Sequence, residues 1–300
     1  MLISEIIQTL PFSFKTSRRL FLAGLFLSSC GVRQSIGREQ LTIGTLTYGS
    51  GNQAISQYDG LKQYLSEKLQ SIIQIEPTFN ENKALERIKA RAWSLVFAPP
   101  GLAAIAMSQY RYTPLIPLDG NSNLNSVLVV KKDSLYRDLR SLAGKKLAIG
   151  QPGSATGYYF PIYNFYGLTL AELIPSATPK AVLEAVAQGR ADVGALSLQE
   201  FNTHKTEISQ TEFRIVFVDR HRVPAGAILV SPDIELKLQD SIHQILQNPP
   251  PLIARQAGFI PQGTVPDYKY MVSVVDRVRS ILPTDRSQLT QKPVRLFKAQ

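Results

Sequence analysis

Between residues 41 and 98, short apolar runs of strand type alternate with longer stretches of helical period. This alternation restricts the chain to an α/β fold. Residues 41–47 alternate apolar with small or polar side chains. After them, Ile55, Tyr58, Leu61, Leu65 and Leu69 fall on one helical face. Residues 72–79 read as a second strand, and Asn80 as the cap of a helix carrying Ala84, Leu85 and Ile88. Residues 94–98 form a short buried strand that stops at Pro99-Pro100-Gly101. Strands interleaved with helices in this way pair in parallel, because each helix carries the chain back across the sheet.

A second unit of the same kind begins after Val127-Leu128-Val129-Val130. Residues 146–150 are its first strand and 156–166 and 180–188 its helices, with later strands at 191–196 and 214–218. Another apolar run, 226–230, precedes helical segments at 234–246 and 268–281. The expected fold is α/β, with two Rossmann-like lobes, each a mostly parallel sheet flanked by helices. Two crossing strands, near 125–131 and 225–230, join them. Lobe one takes 41–128 plus 226–300, and lobe two takes 129–225. Two lobes suit a chain of 300 residues, since one core serves roughly 100–150.

The N-terminus reads differently. Lys15, Arg18 and Arg19 precede the apolar run 20–27, and Ser28-Ser29-Cys30-Gly31 follows. A basic region, a short apolar region and small residues form an export signal, and the run is shorter than the ~20 residues of a membrane span. Leu27-Ser28-Ser29-Cys30 resembles a bacterial lipobox, which implies that residues 1–30 are an export signal ending at a lipid-modified Cys30. Residues 31–40 are then a tether. Ser17-Arg18-Arg19-Leu20-Phe21-Leu22 also resembles a twin-arginine motif. Cys30 is the only cysteine, so disulfides do not hold the fold. Discarding residues 1–30, with Glu5, Lys15, Arg18 and Arg19, takes the net charge from +10 to +8. That balance suits an anionic ligand or an anionic lipid surface, and export argues against nucleic acid.

The most pointed local signal is Gln151-Pro152-Gly153-Ser154-Ala155-Thr156-Gly157-Tyr158, between a strand and a helix. Glycines permit the tight turn, and amides at a helix start favour an anion, helped here by the Ser154 and Thr156 hydroxyls. An ordinary N-cap explains the same residues. Thr47-Tyr48-Gly49-Ser50-Gly51 and Pro99-Pro100-Gly101 end two strands of the first unit, and ligands of open α/β sheets bind beyond such ends. His204, His221 and His243 lack metal-site spacing. There is no nucleophile elbow, no phosphate-loop lysine and no cofactor motif, so no enzyme chemistry is expected.

These segments, with residues 181–194 and the lead-in 139–146, resemble the phosphate/phosphite/phosphonate-binding proteins of ABC importers over about residues 41–231. The resemblance implies a type II periplasmic binding protein that closes by a hinge on a small oxyanion and delivers it to a permease. It implies ligand contacts from Tyr48, Ser50, Pro100 and Gly101 in lobe one. In lobe two it implies Ser154, the Ala155 amide, Thr156 and Gln199. The chain departs from the family pattern at Ala155, usually a hydroxyl residue. It departs again at Leu102-Ala103-Ala104, where a tyrosine is common, and at Pro179-Lys180, where a histidine is common. A sensing or interaction module on the same fold is the alternative.

Overall fold

The computed structural model describes residues 39–47, 53–120, 124–208, 210–282 and 292–297. Cys30 and the export segment, Tyr48 and Ser50 lie outside the described residues. The first half runs β1 (Gln40–Leu46), α1 (Gln53–Ser56), α2 (Asp59–Leu69), β2 (Ile72–Thr78), α3 (Glu81–Lys89), β3 (Leu95–Ala98), α4 (Pro100–Tyr110) and β4 (Thr113–Pro117). Next come β5 (Ser126–Lys131), β6 (Lys146–Ile149) and a π-helical turn (Ala155–Tyr159) that leads into α5 (Phe160–Asn164). The chain continues with β7 (Thr169–Leu170), β8 (Glu172–Pro175), α6 (Pro179–Ala187), β9 (Val193–Ser197), α7 (Leu198–His204) and β10 (Phe213–Val218). It finishes with β11 (Ala227–Val230), α8 (Leu236–Gln247), α9 (Pro251–Ala257), α10 (Lys269–Ile281) and β12 (Val294–Arg295).

Two five-stranded sheets result, ordered β2-β1-β3-β11-β4 and β10-β5-β9-β6-β8. The α/β class is as the sequence implies, and each sheet is mixed. β1 pairs in parallel with β2 and β3, whereas β11 runs antiparallel to β3 and β4. β6 pairs in parallel with β8 and β9, whereas β5 runs antiparallel to β9 and β10. The antiparallel strands are the two that arrive from the other sheet. The chain leaves the first sheet after β4 to become β5, and returns from β10 to become β11. β12 adds a short antiparallel pair with β7.

Strand alternation divides the core. Leu95, Phe97, Ile228 and Val230 face one side of the first sheet, with Leu61 and Leu65 of α2 and Ile242 of α8. Val127, Val129 and Ala148 face one side of the second, with Val182 and Val186 of α6. The residues between them, such as Val96, Leu229, Leu128 and Ile149, point the other way into one core common to both sheets. Strands buried on both faces read as unbroken apolar runs.

Two helices lie deepest in the shared core, to which α3 and α5 also contribute. α4 is buried on every side from Pro100 to Ala106, so it shows no polar stripe. α10 buries Met271, Val274, Val275, Val278 and Ile281, a regular helical face, and touches α4, α5 and the π turn. Among the described residues no helix is long and apolar enough to cross a membrane.

Where the chain returns to the first sheet, Asp219 is 2 % exposed and organises the passage. Its N–H donates to Ser126 O, and its carbonyl accepts from Asn125 Nδ2. Its carboxylate accepts from Asn164 Nδ2 at 2.6 Å and from His221 N at 2.8 Å, with His221 Nδ1 at 2.7 Å. The His221 ring stacks on Tyr270 of α10, centroids 5.0 Å apart. Burial, with Tyr163 and Asp219 adding to it, pushes Tyr270 up to about 12, so its phenol stays neutral. Asp219→Ala leaves several buried donors without an acceptor. It should lower stability by about 3 kcal/mol in urea unfolding, with a smaller loss for Asp219→Asn.

Candidate functional site

Beyond the end of β6 the chain doubles back. Ser154 N donates to Gln151 O at 3.0 Å, and Gly150 N to Gly157 O at 2.9 Å. Gly153 takes φ +119°, which residues with a Cβ rarely adopt. Ser154 then caps the π turn, its Oγ accepting from Gly157 N at 3.0 Å. The turn is wide: Tyr159 N donates to Ser154 O and Phe160 N to Ala155 O, five residues back. Ser126 Oγ of β5 donates to Thr156 O at 2.6 Å and ties the turn to the second sheet.

The starts of α3 and α4, carried by the first sheet, face this loop. A Cβ on Gly101 would lie 2.2 Å from Gly153 O and 2.7 Å from Ala155 N, an approach open only to glycine. The side chains of Leu102 and Glu81 pack on Gly153, and Asn82 N donates to Gln151 Oε1 at 3.2 Å. A space of about 10 Å³ remains beside Ser154 and Gly157, bordered also by Glu81, Gln151, Thr178 and Glu200. That is room for about one water.

Four helix starts converge there. They are α3 capped by Asn80, the π turn by Ser154, α6 by Thr178 and α7 by Ser197. Helix starts carry partial positive charge and favour an anion. Two carboxylates border the space. Glu81 is 3 % exposed, and Glu200 forms a capping box with Ser197, its Oε2 accepting from Ser197 N at 2.7 Å. Among the described residues lining the space there is no Lys, Arg or His.

Of the residues singled out from sequence, Pro100, Gly101, Ser154, Ala155 and Thr156 come together. The Ala155 amide lies against the start of α4, the Ser154 and Gly157 amides are used within the turn, Ala155 and Thr156 are buried, and the Ser154 oxygen is engaged as a cap. Gln199 is exposed on α7, while its neighbour Glu200 reaches the space. Lys180 points elsewhere, to Glu207 at 3.0 Å. That contact, with a second from His204, holds the Glu207 carboxyl below its usual range. The Gly189-to-Asp192 run is structural: Asp192 Oδ2 accepts from Lys146 N at 2.8 Å. Sequence reasoning missed Glu81 and the reach of Gln151. An acid after an N-cap reads as an ordinary first-turn charge, so nothing local marks Glu81. A wider groove of about 660 Å³ runs between α3, α4, the π turn and α10, and its charges, Glu86, Lys89, Asp276 and Arg279, are of both signs. Among the described residues no three His, Cys, Asp or Glu side chains gather as a metal site.

Residues 43–249 match the family model for the periplasmic substrate-binding protein of the phosphonate ABC transporter. Solved structures agree in fold. PhnD1 from Prochlorococcus marinus in complex with methylphosphonate superposes with a TM-score of 0.63 at 16% identity, covering 80% of this chain and 98% of that one. XAC2383 from Xanthomonas citri bound to ATP gives 0.66 at 18% identity, with the same coverage. A binding protein component of an ABC phosphonate transporter from Pseudomonas aeruginosa gives 0.60 at 12% identity, covering 80% and 86%.

The contact at Gly101 can be tested directly. Its φ lies outside the left-handed region, so Gly101→Ala adds only the collision with the loop backbone. The variant should lose about 1–3 kcal/mol of stability. In solution scattering it should show a larger radius of gyration, because the obstruction is backbone and the two halves must part.

Proposed function

Because this chain belongs to the family of periplasmic substrate-binding proteins of phosphonate ABC transporters, we propose that it is the exported capture component of such an importer. It takes a small oxyanion (phosphonate, phosphite or phosphate) at the loop after β6 and passes it to the membrane permease, with no bond made or broken. Export and tethering follow the N-terminal signal, with lipid on Cys30. The observation that carries this reading is the Ser154-capped turn, which sits at the carboxyl end of β6 opposite the start of α4.

The geometry also bears on affinity. A space of about 10 Å³ does not admit a phosphonate, so the loop and α4 must part before a guest enters and then close around it. Hydrogen bonds to a charged oxygen contribute roughly 1.5–3 kcal/mol each. Re-exposing Leu102, which lies over Gly153, costs roughly 1.5–3 kcal/mol and offsets about one of them. Binding is then weakened by the small fraction of open molecules. A dissociation constant between about 10 µM and 1 mM is expected.

The same packing supports a second reading, in which the fold serves as a sensing or interaction module for a membrane signalling protein. Ala155 and Leu102-Ala103-Ala104 supply apolar contact where a binding site needs donors. Calorimetric titration of the folded chain with phosphate, phosphite, methylphosphonate and aminoethylphosphonate separates the two. Heat from at least one supports capture, and silence from all four favours the interaction module.

A further inference from the structure

We infer that one face of the protein, running from the link before β11 across α10 to β12, lies on a bilayer of anionic lipid, an inference that rests on the export and tethering proposed above. The face is continuous by contact. His221 stacks on Tyr270 of α10, and Tyr163 of α5 is beside the Tyr270 phenol. One turn on, Tyr166 N donates to Tyr163 O at 3.2 Å, and Arg277 of α10 lies over the Tyr166 ring, 4.6 Å from its centroid. Gly167 N then donates to Leu296 O at 2.9 Å, which brings β12 alongside. Tyr166, Tyr270 and Phe297 are exposed along this path.

The charge of the face is one-sided. Arg220 and Arg222 stand exposed on either side of His221, and Arg277 and Arg295 are exposed as well. Among the described residues none of these four arginines forms an ion pair. The acids along the face are engaged or turned away. Asp219 is buried against His221, Asp267 is 3.9 Å from Lys269, and Glu172 is 2.8 Å from Lys292. Asp276 borders the wider groove instead. Cations elsewhere on the surface are more often matched, as Arg91 is by Asp233 and Lys132 by Glu212.

Unmatched guanidinium groups suit an array of phosphates, whose geometry they fit, and rings with one polar end suit the depth of lipid headgroups. With lipid on Cys30, residues 31–39 hold the start of β1 within about 30 Å of the bilayer. The body is then always close to a negatively charged plane, and the arginine face is the one drawn to it.

The full chain without acyl modification tests this on vesicles of phosphatidylcholine, alone or mixed with phosphatidylglycerol. It should bind the mixed vesicles, and less as salt rises. A phospholipid with a photoreactive headgroup should attach at 220–222, Tyr270 and Arg277. Arg220→Gln, Arg222→Gln and Arg277→Gln together should lower the vesicle partition coefficient about a hundredfold. The matched control, Lys62→Gln, Lys68→Gln and Lys237→Gln on α2 and α8, should lower it less than about threefold. The N-terminal segment is common to all three proteins, so it does not affect the comparison. Equal binding by the two triple variants, or attachment confined to other faces, overturns the inference. Binding to native membranes that protease treatment abolishes, with none to the vesicles, assigns the face to a membrane protein and overturns it too. An unmodified Cys30 in protein taken from its own cell would remove the tethering alone, because the vesicle measurements use no anchor.

Discussion

The first turn of α4 and the loop after β6 meet backbone to backbone, and the arrangement between the two sheets depends on that approach. Gly101 permits it, since any Cβ there would strike Gly153 O. With the backbones this close, Leu102 covers Gly153 and the first two turns of α4 are enclosed on all sides. The inner faces of both sheets then drain into one apolar core. The inner surface is largely hydrocarbon, and its burial holds the two sheets against one another.

Electrostatics act on the same spot with different demands. The helix starts around Ser154 ask for negative charge, and the chain has brought two carboxylates to meet it, one from each half. Glu200 answers its own helix through the capping box, so its charge is already committed locally. Glu81, buried at the start of α3, packs its Cβ and Cγ against Gly153 of the other half. The corner is thus bordered by helix starts, by two acidic side chains and by apolar residues such as Val182 and Leu196.

Much of the fold was legible because both sheets obey a period of two. Leu41, Ile43, Val127 and Val129 announce strands, and Asn80 announces its helix by capping it as expected, with Oδ1 accepting from Lys83 N. α4 was not legible: Pro99-Pro100-Gly101 reads as a stop, and a helix buried on every side has no polar stripe to reveal its period. The short strands β4 and β8 each contain proline and carry little alternation. In the site, the Ser154 turn could be read because capping chemistry is local. The burial of Glu81 could not, because it packs on a loop about seventy positions away, beside the Asn82–Gln151 contact.

The late position of α10 has a consequence for how the molecule comes together. Every strand of both large sheets lies before residue 231, so each half can organise while the C-terminal region is still emerging. α10 arrives afterwards and lies against α4 and α5 at once, with Tyr268 anchoring its start by donating to Ala225 O at 2.6 Å. It acts as a late brace, adding to the contact between α4 and the loop after β6 that already joins the two halves. The part of the shared core that α10 covers, including Val274, Val275 and Val278, is therefore completed last along the chain.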